Sequence, residues 1–339
     1  MLLIFFIFLI ILNEIIIKHN LLPDRIELSR HKLFVSKIKI PPSAGLFLII
    51  FIFTFKNDLG YLNLFCFFAI FLIGISSDRI RNFSPTLRLA LQITFSLLLI
   101  LNTQTIIQDV RIDNLNIFLK NHIIISATFT VFCFLVLMNG TNFIDGINLN
   151  TIGYYIIIYF FITLISKNNN LNLDYNFNQK ILIFLFTIFL LNYLNKTQLG
   201  DSGAYLLSFF TAYYVIEFIN LNPSVSPYFA VLILWYPCFE NLFSIFRKIY
   251  QKQSVSTADN SHLHHKVFIF LKDSKFKRAN NISGFILNLL NLFLVLLSLI
   301  YFDSTIALII MIMINILCYL LLYYFLSKKL FKKPRDHIN

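Results

Sequence analysis

The sequence predicts an all-α, polytopic helical membrane protein with about eleven transmembrane helices, its N-terminus outside and its C-terminus inside. Three observations carry that class. Hydrophobic residues make up 58% of the 339 positions and charged residues only 13%, which is more apolar surface than one soluble core can hide. Runs such as LLIFFIFLIIL and IALIIMIMINILCYLLLYYFL recur from end to end, and a bilayer core of roughly 30 Å takes about 20 apolar residues in a helix. The short alternating segments of a transmembrane β-barrel are not seen in the sequence.

Taken in order, the first run, 1–17, has no basic residue before it and no small-residue cleavage site after it, so it reads as a retained anchor. Segment 44–55 is short for a full span. Segments 61–76, 87–102, 122–138, 151–166, 181–194, 203–219 and 227–246 follow. Segments 284–302 and 304–326 meet at a tight FDST turn. Residues 1–326 thus read as one transmembrane domain with cytoplasmic loops, and 327–339 as a basic cytoplasmic tail suited to anionic lipid. Cys66, Cys133, Cys238 and Cys318 all fall inside apolar runs without metal-type spacing and read as packing residues.

Positive charge orients the segments. With the N-terminus outside, only Lys56, Arg111, Lys120, Lys167 and Lys180 of the 28 basic residues face outward. All the others then lie in inside loops, as the positive-inside rule requires. In a soluble protein a net charge of +12 would suggest nucleic acid. Here it reports topology and phosphate-bearing partners, with no nucleic acid expected. Glu14 and Glu217 are the plainest ionisable residues within segments, and both lie near segment ends. Transporters carry charges near mid-bilayer, so this pattern weighs against transport.

The inside loops collect the polar chemistry. GISSDRIRNFSPTLRLALQ carries Asp78. NGTNFIDGINLNTIG carries Asn139, Asn142, Asp145 and Asn148. NYLNKTQLGDSGAYLLSFF carries Asn192 and Asp201. The long loop near DNSHLHHKV holds Arg247, Asp259, His262, His264 and His265. Three carboxylates beside arginines and histidines suit a divalent cation and a phosphate ester, because Mg²⁺ is a hard ion held by one or two carboxylates plus substrate phosphates. Each piece also has a plainer reading. Gly-Asp-Ser-Gly fits a helix N-cap, Asp-Gly fits an ordinary turn, and Asp78 among arginines fits a loop ion pair of little energetic value. The histidine cluster could be a zinc site, which only Asp259 would help to complete, or a solvated loop, or a holder of phosphate or substrate.

In this order the motifs resemble the polyprenyl-phosphate N-acetylhexosamine-1-phosphate transferases, a glycosyltransferase family 4 group that includes undecaprenyl-phosphate GlcNAc-1-phosphate transferases. The resemblance runs from about residue 23 to 267. HKLFVSKIKIPPSAGLFL is similar to the group's first cytoplasmic loop, SSDRIRNFSPTLRLALQ to its Asp-Asp loop, and NGTNFIDGINLN to its Asn-x-x-Asn-Phe-x-Asp-Gly-x-Asp-Gly motif. LGDSGAYLLSFF is similar to Gly-Asp-x-Gly-Ser. YPCFENLFSIFRKI and DNSHLHHKV are similar to its last active-site loop, and HLHH points to the GlcNAc-1-phosphate branch.

The resemblance implies a phosphotransferase of the bacterial cytoplasmic membrane with its active site on the inner face. It would pass a sugar-1-phosphate from a UDP-N-acetylhexosamine to undecaprenyl phosphate, release UMP and start a cell-surface glycan. It implies Mg²⁺, with Mn²⁺ as an alternative, and a homodimer is common in the group. Carried over by position, Asp201 is the best metal ligand and Asp78 supports the metal. Asp78, Asp145, Asp201 and His264 form the catalytic set. Asn142 and Asn192 contact nucleotide or sugar, and Arg247, His262 and His265 hold phosphates through charge-assisted hydrogen bonds. Four positions depart from the pattern: Ser77 and Asn148 stand where the group has aspartates, Ala44 for a glycine and Ala204 for a serine. These departures leave a second expectation open, a catalytically inactive relative that binds lipid or a partner.

Overall fold

A computed structural model of the chain describes residues 2–22, 40–56, 59–80, 83–254 and 261–331. Parts of the reading above fall outside them: most of the first cytoplasmic loop with Arg25, Arg30, Lys32, Lys37 and Lys39, then Asp58, Arg81, Asp259 and the end of the basic tail. Among the described residues the structure is helical throughout, without a strand.

The elements are α1 (Leu2–His19), α2 (Ala44–Phe55), α3 (Tyr61–Arg79), α4 (Pro85–Thr103), α5 (Asp113–Asn121), α6 (Ile123–Ile144) and α7 (Asn150–Asn169). They continue with α8 (Tyr175–Tyr193), α9 (Gly200–Leu221), α10 (Pro227–Ile233), α11 (Trp235–Tyr250), α12 (Leu263–Asp273), α13 (Ala279–Val295) and α14 (Thr305–Phe331). Among the described residues, eight helices are long and apolar enough to cross a membrane, or nine if α10 and α11 form one bent span. Two of the eleven expected segments fall short of that standard. Helix α2 has 12 residues, about 18 Å at 1.5 Å per residue. Helix α8 opens with the polar turn YNFNQK.

Helix α9 is the hub. Of its most apolar window, 78% is buried, against 22% for α1, α4 and α14, so α9 sits among other helices while those three turn most of their surface outward. It packs against α2, α3 and α6. Close approach at the α3–α9 crossing depends on Gly74, where a methyl group would run into the backbone of Ser202. Aromatic rings fill the hub, with Phe67 edge-on to Phe209 at 5.4 Å and Phe134 edge-on to the same ring at 5.4 Å.

The stretch 227–246, read as one apolar segment, is in fact broken by 73° between α10 and α11. The cause is local. Pro237 has no N–H to give the carbonyl of Ile233 one turn back. That carbonyl instead accepts the Tyr154 hydroxyl at 2.8 Å, and the Tyr236 N–H donates to the same hydroxyl oxygen at 3.2 Å. A buried side chain of α7 therefore satisfies both sides of the break.

The two ends of the bundle differ. Lys56 lies 3.8 Å from Asp174, Lys180 lies over the Phe55 ring, and Arg111 donates to the carbonyl of Pro223 at 2.6 Å. Three of the five cations expected outside therefore gather at one end. Glu14, expected near a segment end, pairs with Lys196 at 2.5 Å at the other end, with both side chains about half exposed.

Candidate active site

The end opposite Lys56 is where the chemistry-bearing loops meet. It joins the C-terminal ends of α3, α6, α8 and α11 to the N-terminal ends of α4, α7, α9, α12 and α13. Two clusters form there, and the last turn of α6 touches both.

The acidic cluster is built on the start of α9. A helix leaves its first N–H groups without partners inside the helix. Here Asp78, at the end of α3, meets two of them: one carboxylate oxygen accepts from the N–H of Asp201 at 3.0 Å and the other from the N–H of Ser202 at 3.1 Å. The half-buried Asp78 therefore caps a helix that begins more than 120 residues later. Gly200 makes room for it. Its φ of +64° lies in the left-handed region, and a methyl group there would press on both oxygens of Asp78. The positive end of the α9 dipole adds to the attraction.

With Asp78 occupied in this way, Asp201 projects from the first turn of α9. Its Oδ2 accepts the Ser77 hydroxyl at 2.5 Å, and the Ser77 oxygen in turn accepts from Nη1 of Arg88 at 3.3 Å. The Arg88 guanidinium lies over the ring of Tyr205, 5.7 Å from its centre, a cation–π arrangement. Asn142 Nδ2 donates to the Tyr205 hydroxyl at 3.0 Å, which ties α6 to this cluster.

The histidine cluster packs on the next residues of the α6 turn. His262 lies 5.1 Å from the ring of Phe143, and Lys248 lies over the same ring. A methyl group on Gly146, beside Asp145, would strike the ring nitrogen Nε2 of His264 and the ring of His265. His262, His264 and His265 are 6%, 0% and 3% exposed. The expectation of a solvated loop is therefore corrected, because the start of α12 folds this stretch inward. Arg247 is buried too. It donates to the carbonyl of Ser261 at 2.9 Å and to the Tyr323 hydroxyl at 3.0 Å, so it tethers the start of the histidine segment to α11 and α14.

Asn192 and Asn148 take up other positions. Asn192 Oδ1 accepts the N–H of Leu149 at 2.7 Å, and its Nδ2 donates to the carbonyl of Thr197 at 2.8 Å. Both ends of its amide thus hold backbone. Asn148 Nδ2 faces three oxygens, Asn195 Oδ1 at 2.6 Å, Asn281 Oδ1 at 2.9 Å and the Asn192 carbonyl at 3.3 Å. These amides lace the α6–α7 turn to α8 and α13. A carboxylate at position 148 would bring negative charge against those oxygens and give none of them a proton.

Among the described residues, no group of three or more His, Cys, Asp or Glu side chains is gathered so as to hold a metal ion. The acidic cluster offers less than a full cage: Asp201, with one oxygen engaged by Ser77, beside an Asp78 already given to backbone N–H groups. Such a donor set suits Mg²⁺, whose remaining ligands come from water and substrate phosphates.

Sequence reasoning passed over two further residues here. Tyr205 bridges Arg88 and Asn142, but a tyrosine in an apolar run carries no distinctive signal. Glu240 lies inside the 227–246 stretch, fully buried, with its carboxylate 2.9 Å from His262 Nδ1. An acid between Phe239 and Asn241 in an otherwise apolar run was a usable signal.

Residues 61–219 match the family described as Glycosyl transferase family 4. This range holds Asp78, Arg88, Asn142, Asp145, Asn192 and Asp201 but ends before the histidines. A 78-residue stretch is 32% identical to the probable undecaprenyl-phosphate N-acetylglucosaminyl 1-phosphate transferase of Bacillus subtilis (strain 168). It covers 22% of this chain and 21% of that protein, so the match spans about a fifth of the relative's length.

Proposed function

We propose, from the match of residues 61–219 to glycosyl transferase family 4, that the chain belongs to that family and transfers an N-acetylhexosamine 1-phosphate from a UDP-sugar to undecaprenyl phosphate. UMP is released, and a lipid-diphosphate sugar remains in the membrane to start a cell-surface glycan. The observation that carries this reading is the set of contacts around the α9 N-terminus. Asp201 stands beside Ser77, Arg88 and the capping Asp78, on the same bundle end as the buried histidines.

In this reading an oxygen of the lipid phosphate forms a bond to the β-phosphorus of the UDP-sugar. The bond from that phosphorus to the bridging oxygen breaks, and UMP leaves with the electron pair. A phosphate monoester anion is already nucleophilic near neutral pH, so no side chain has to remove a proton, and Ser77 in place of an aspartate does not block the step. Arg88 and the histidines bring positive charge and N–H donors to the phosphates. Asn142, in the last turn of α6, and Asp145, the residue that follows that helix, would contact nucleotide or sugar bridging the two clusters. Arg247 and Asn192 hold the loops that carry these groups. Bound Mg²⁺ or Mn²⁺, held by Asp201 with support from Asp78, would offset charge on the diphosphate.

The active end faces the bacterial cytoplasm, with the N-terminus outside, the C-terminus inside and eleven segments alternating across the membrane. The charge pattern supports this orientation. One experiment tests the activity: UMP release by the purified chain with undecaprenyl phosphate and a panel of UDP-N-acetylhexosamines, with and without Mg²⁺. Mg²⁺-dependent release that disappears in Asp201→Asn is expected. A folded chain that turns over none of the panel rejects the proposal. Ser77 and Asn148 motivate the second reading, an inactive lipid- or partner-binding relative, for which restoring both aspartates would create activity that the native chain lacks.

A further inference from the structure

Glu240 sits in α11 with its side chain fully buried. A carboxylate in such a place is costly unless donors meet it. Two do. The Tyr319 hydroxyl, from α14, donates to Oε2 at 2.6 Å, and Nδ1 of His262 lies 2.9 Å from Oε1. His262 is stacked parallel to His264, with ring centres 5.6 Å apart and an interplanar angle of 11°, and it also meets the rings of Phe143 and His265. The ring is thus held from one edge by Glu240 and across its plane by Phe143 and His264. Glu240, His262 and Tyr319 all lie beyond residue 219, outside the range matched to the family.

We propose that Glu240 is a positioning residue of the active site: with Tyr319 it fixes the His262 imidazole with Nδ1–H turned to the carboxylate and Nε2 turned away from it, so that Nε2, once it too carries a proton, is the donor that serves the substrate phosphates. The direction of the bond follows from the partners. Oε2 already accepts from the Tyr319 hydroxyl, and a carboxylate oxygen facing Nδ1 accepts from it as well, so the proton of a neutral ring is on Nδ1. A histidine left to choose would divide between two tautomers and two ring orientations. The buried acid removes that choice, as the second partner of a ligand histidine does at metal centres. The last helix thereby becomes part of the site. Tyr319 acts through Glu240, and one turn on, Tyr323 accepts from Arg247, which holds the carbonyl of Ser261 just ahead of His262. What His262 serves rests on the transferase reading; the setting of its ring does not.

The test has two arms on the full-length chain in lipid nanodiscs. In the first, ¹⁵N-histidine-labelled protein is examined by NMR, with His262→Gln identifying the signal. The native chain is expected to show a protonated Nδ1 at His262, and Glu240→Gln to shift that signal and mix the tautomers. In the second, UMP release is measured. Glu240→Gln is expected to lower kcat more than tenfold with KM changed less than threefold, and Tyr319→Phe to lower kcat by a smaller factor. Adding Glu240→Gln to His262→Gln should cost nothing further, because one residue acts through the other. A native ring that carries its proton on Nε2 with Nδ1 bare overturns the proposal, and so do losses that simply multiply in the double variant. If Glu240→Gln does not fold, Tyr319→Phe removes one hydroxyl and keeps every ring, and its spectrum and kcat decide in its place. A native chain with no turnover but the expected His262 spectrum would sink the transferase reading while leaving the placement of the ring intact.

Discussion

The hydroxyl of Ser77 donates to the carboxylate of Asp201 across 2.5 Å, at a position where the resembled motif carries an aspartate. A serine can stand between Arg88 and Asp201 as acceptor from one and donor to the other. An aspartate there would set a second negative charge against Asp201, which only a cation or a proton could relieve. Ser77→Ala is therefore expected to lower turnover by less than tenfold. Ser77→Asp should lower it further, with a deficit that narrows as Mg²⁺ is raised. A Mg²⁺ titration of UMP release in the three proteins checks this. Higher activity in Ser77→Asp than in the native chain would favour the reading of an inactive relative.

The two acids of the α9 cluster should separate by what their loss affects. Asp78 accepts two backbone N–H groups. Asp78→Asn turns an amide donor toward one of them and should cost about 1 kcal/mol or more of stability, as the loss of a helix cap does. Asp201 accepts only a side-chain hydroxyl, so Asp201→Asn should leave the melting temperature near the native value while turnover is lost. Thermal unfolding in detergent beside UMP release measures both. Equal destabilisation by the two changes would show that Asp201 also serves mainly to hold the helix.

Asn148 gives the opposite pattern. Its amide faces three oxygens in a buried lattice, so Asn148→Asp should destabilise the chain by about 1–3 kcal/mol through lost donors and buried charge. The expected readout is a lowered melting temperature. A stable variant with raised activity would mean that position 148 belongs to the substrate rather than to the frame.

How much of this was legible beforehand depends on the range of the interaction. The apolar runs announced the class, and the acids and histidines could be assigned to one end because charge alternates from loop to loop. Pro237 marks the bend in the 227–246 stretch for anyone who asks where the carbonyl of Ile233 finds a donor. That Tyr154 is the donor depends on a contact 79 positions away, and no local pattern encodes it. The capping of α9 by Asp78 and the amide lacing around Asn148 and Asn192 are hidden for the same reason. Asparagine in a polar loop looks alike whether it meets a substrate or a backbone. The burial of the histidines was also out of view, since α12 is short and its sequence LHHKVFIFLKD reads as a loop followed by an apolar fragment.

Gly146 separates the histidine cluster from the acidic one in a single change. A methyl group there would push on His264 and His265 while leaving Asp78, Ser77 and Asp201 untouched. Gly146→Ala and His264→Ala should each lower turnover more than tenfold, about 1.4 kcal/mol or more of transition-state stabilisation. Neither should change the Mg²⁺ concentration for half-maximal rate by more than about twofold. A lowered melting temperature with normal turnover in His264→Ala would make the histidines a packing feature.

The sidedness of the membrane decides whether the site can meet a cytoplasmic nucleotide sugar at all. Tyr61, at the start of α3, is 95% exposed at the Lys56 end, and Tyr250, at the close of α11, is 83% exposed at the histidine end. The native cysteines lie within α3, α6, α11 and α14, among apolar residues that a charged, membrane-impermeant maleimide reaches poorly, and the native chain sets the background. In intact cells Tyr61→Cys should react with the reagent and Tyr250→Cys should not. After permeabilisation both should react. The reverse order would place the acids and imidazoles on the outer surface, away from the UDP-sugar pool, and the charge rule that oriented the chain would have misled. Reaction of both in intact cells would mean that the two ends share one side, which the alternation of helix directions between Lys56 and Arg247 does not allow.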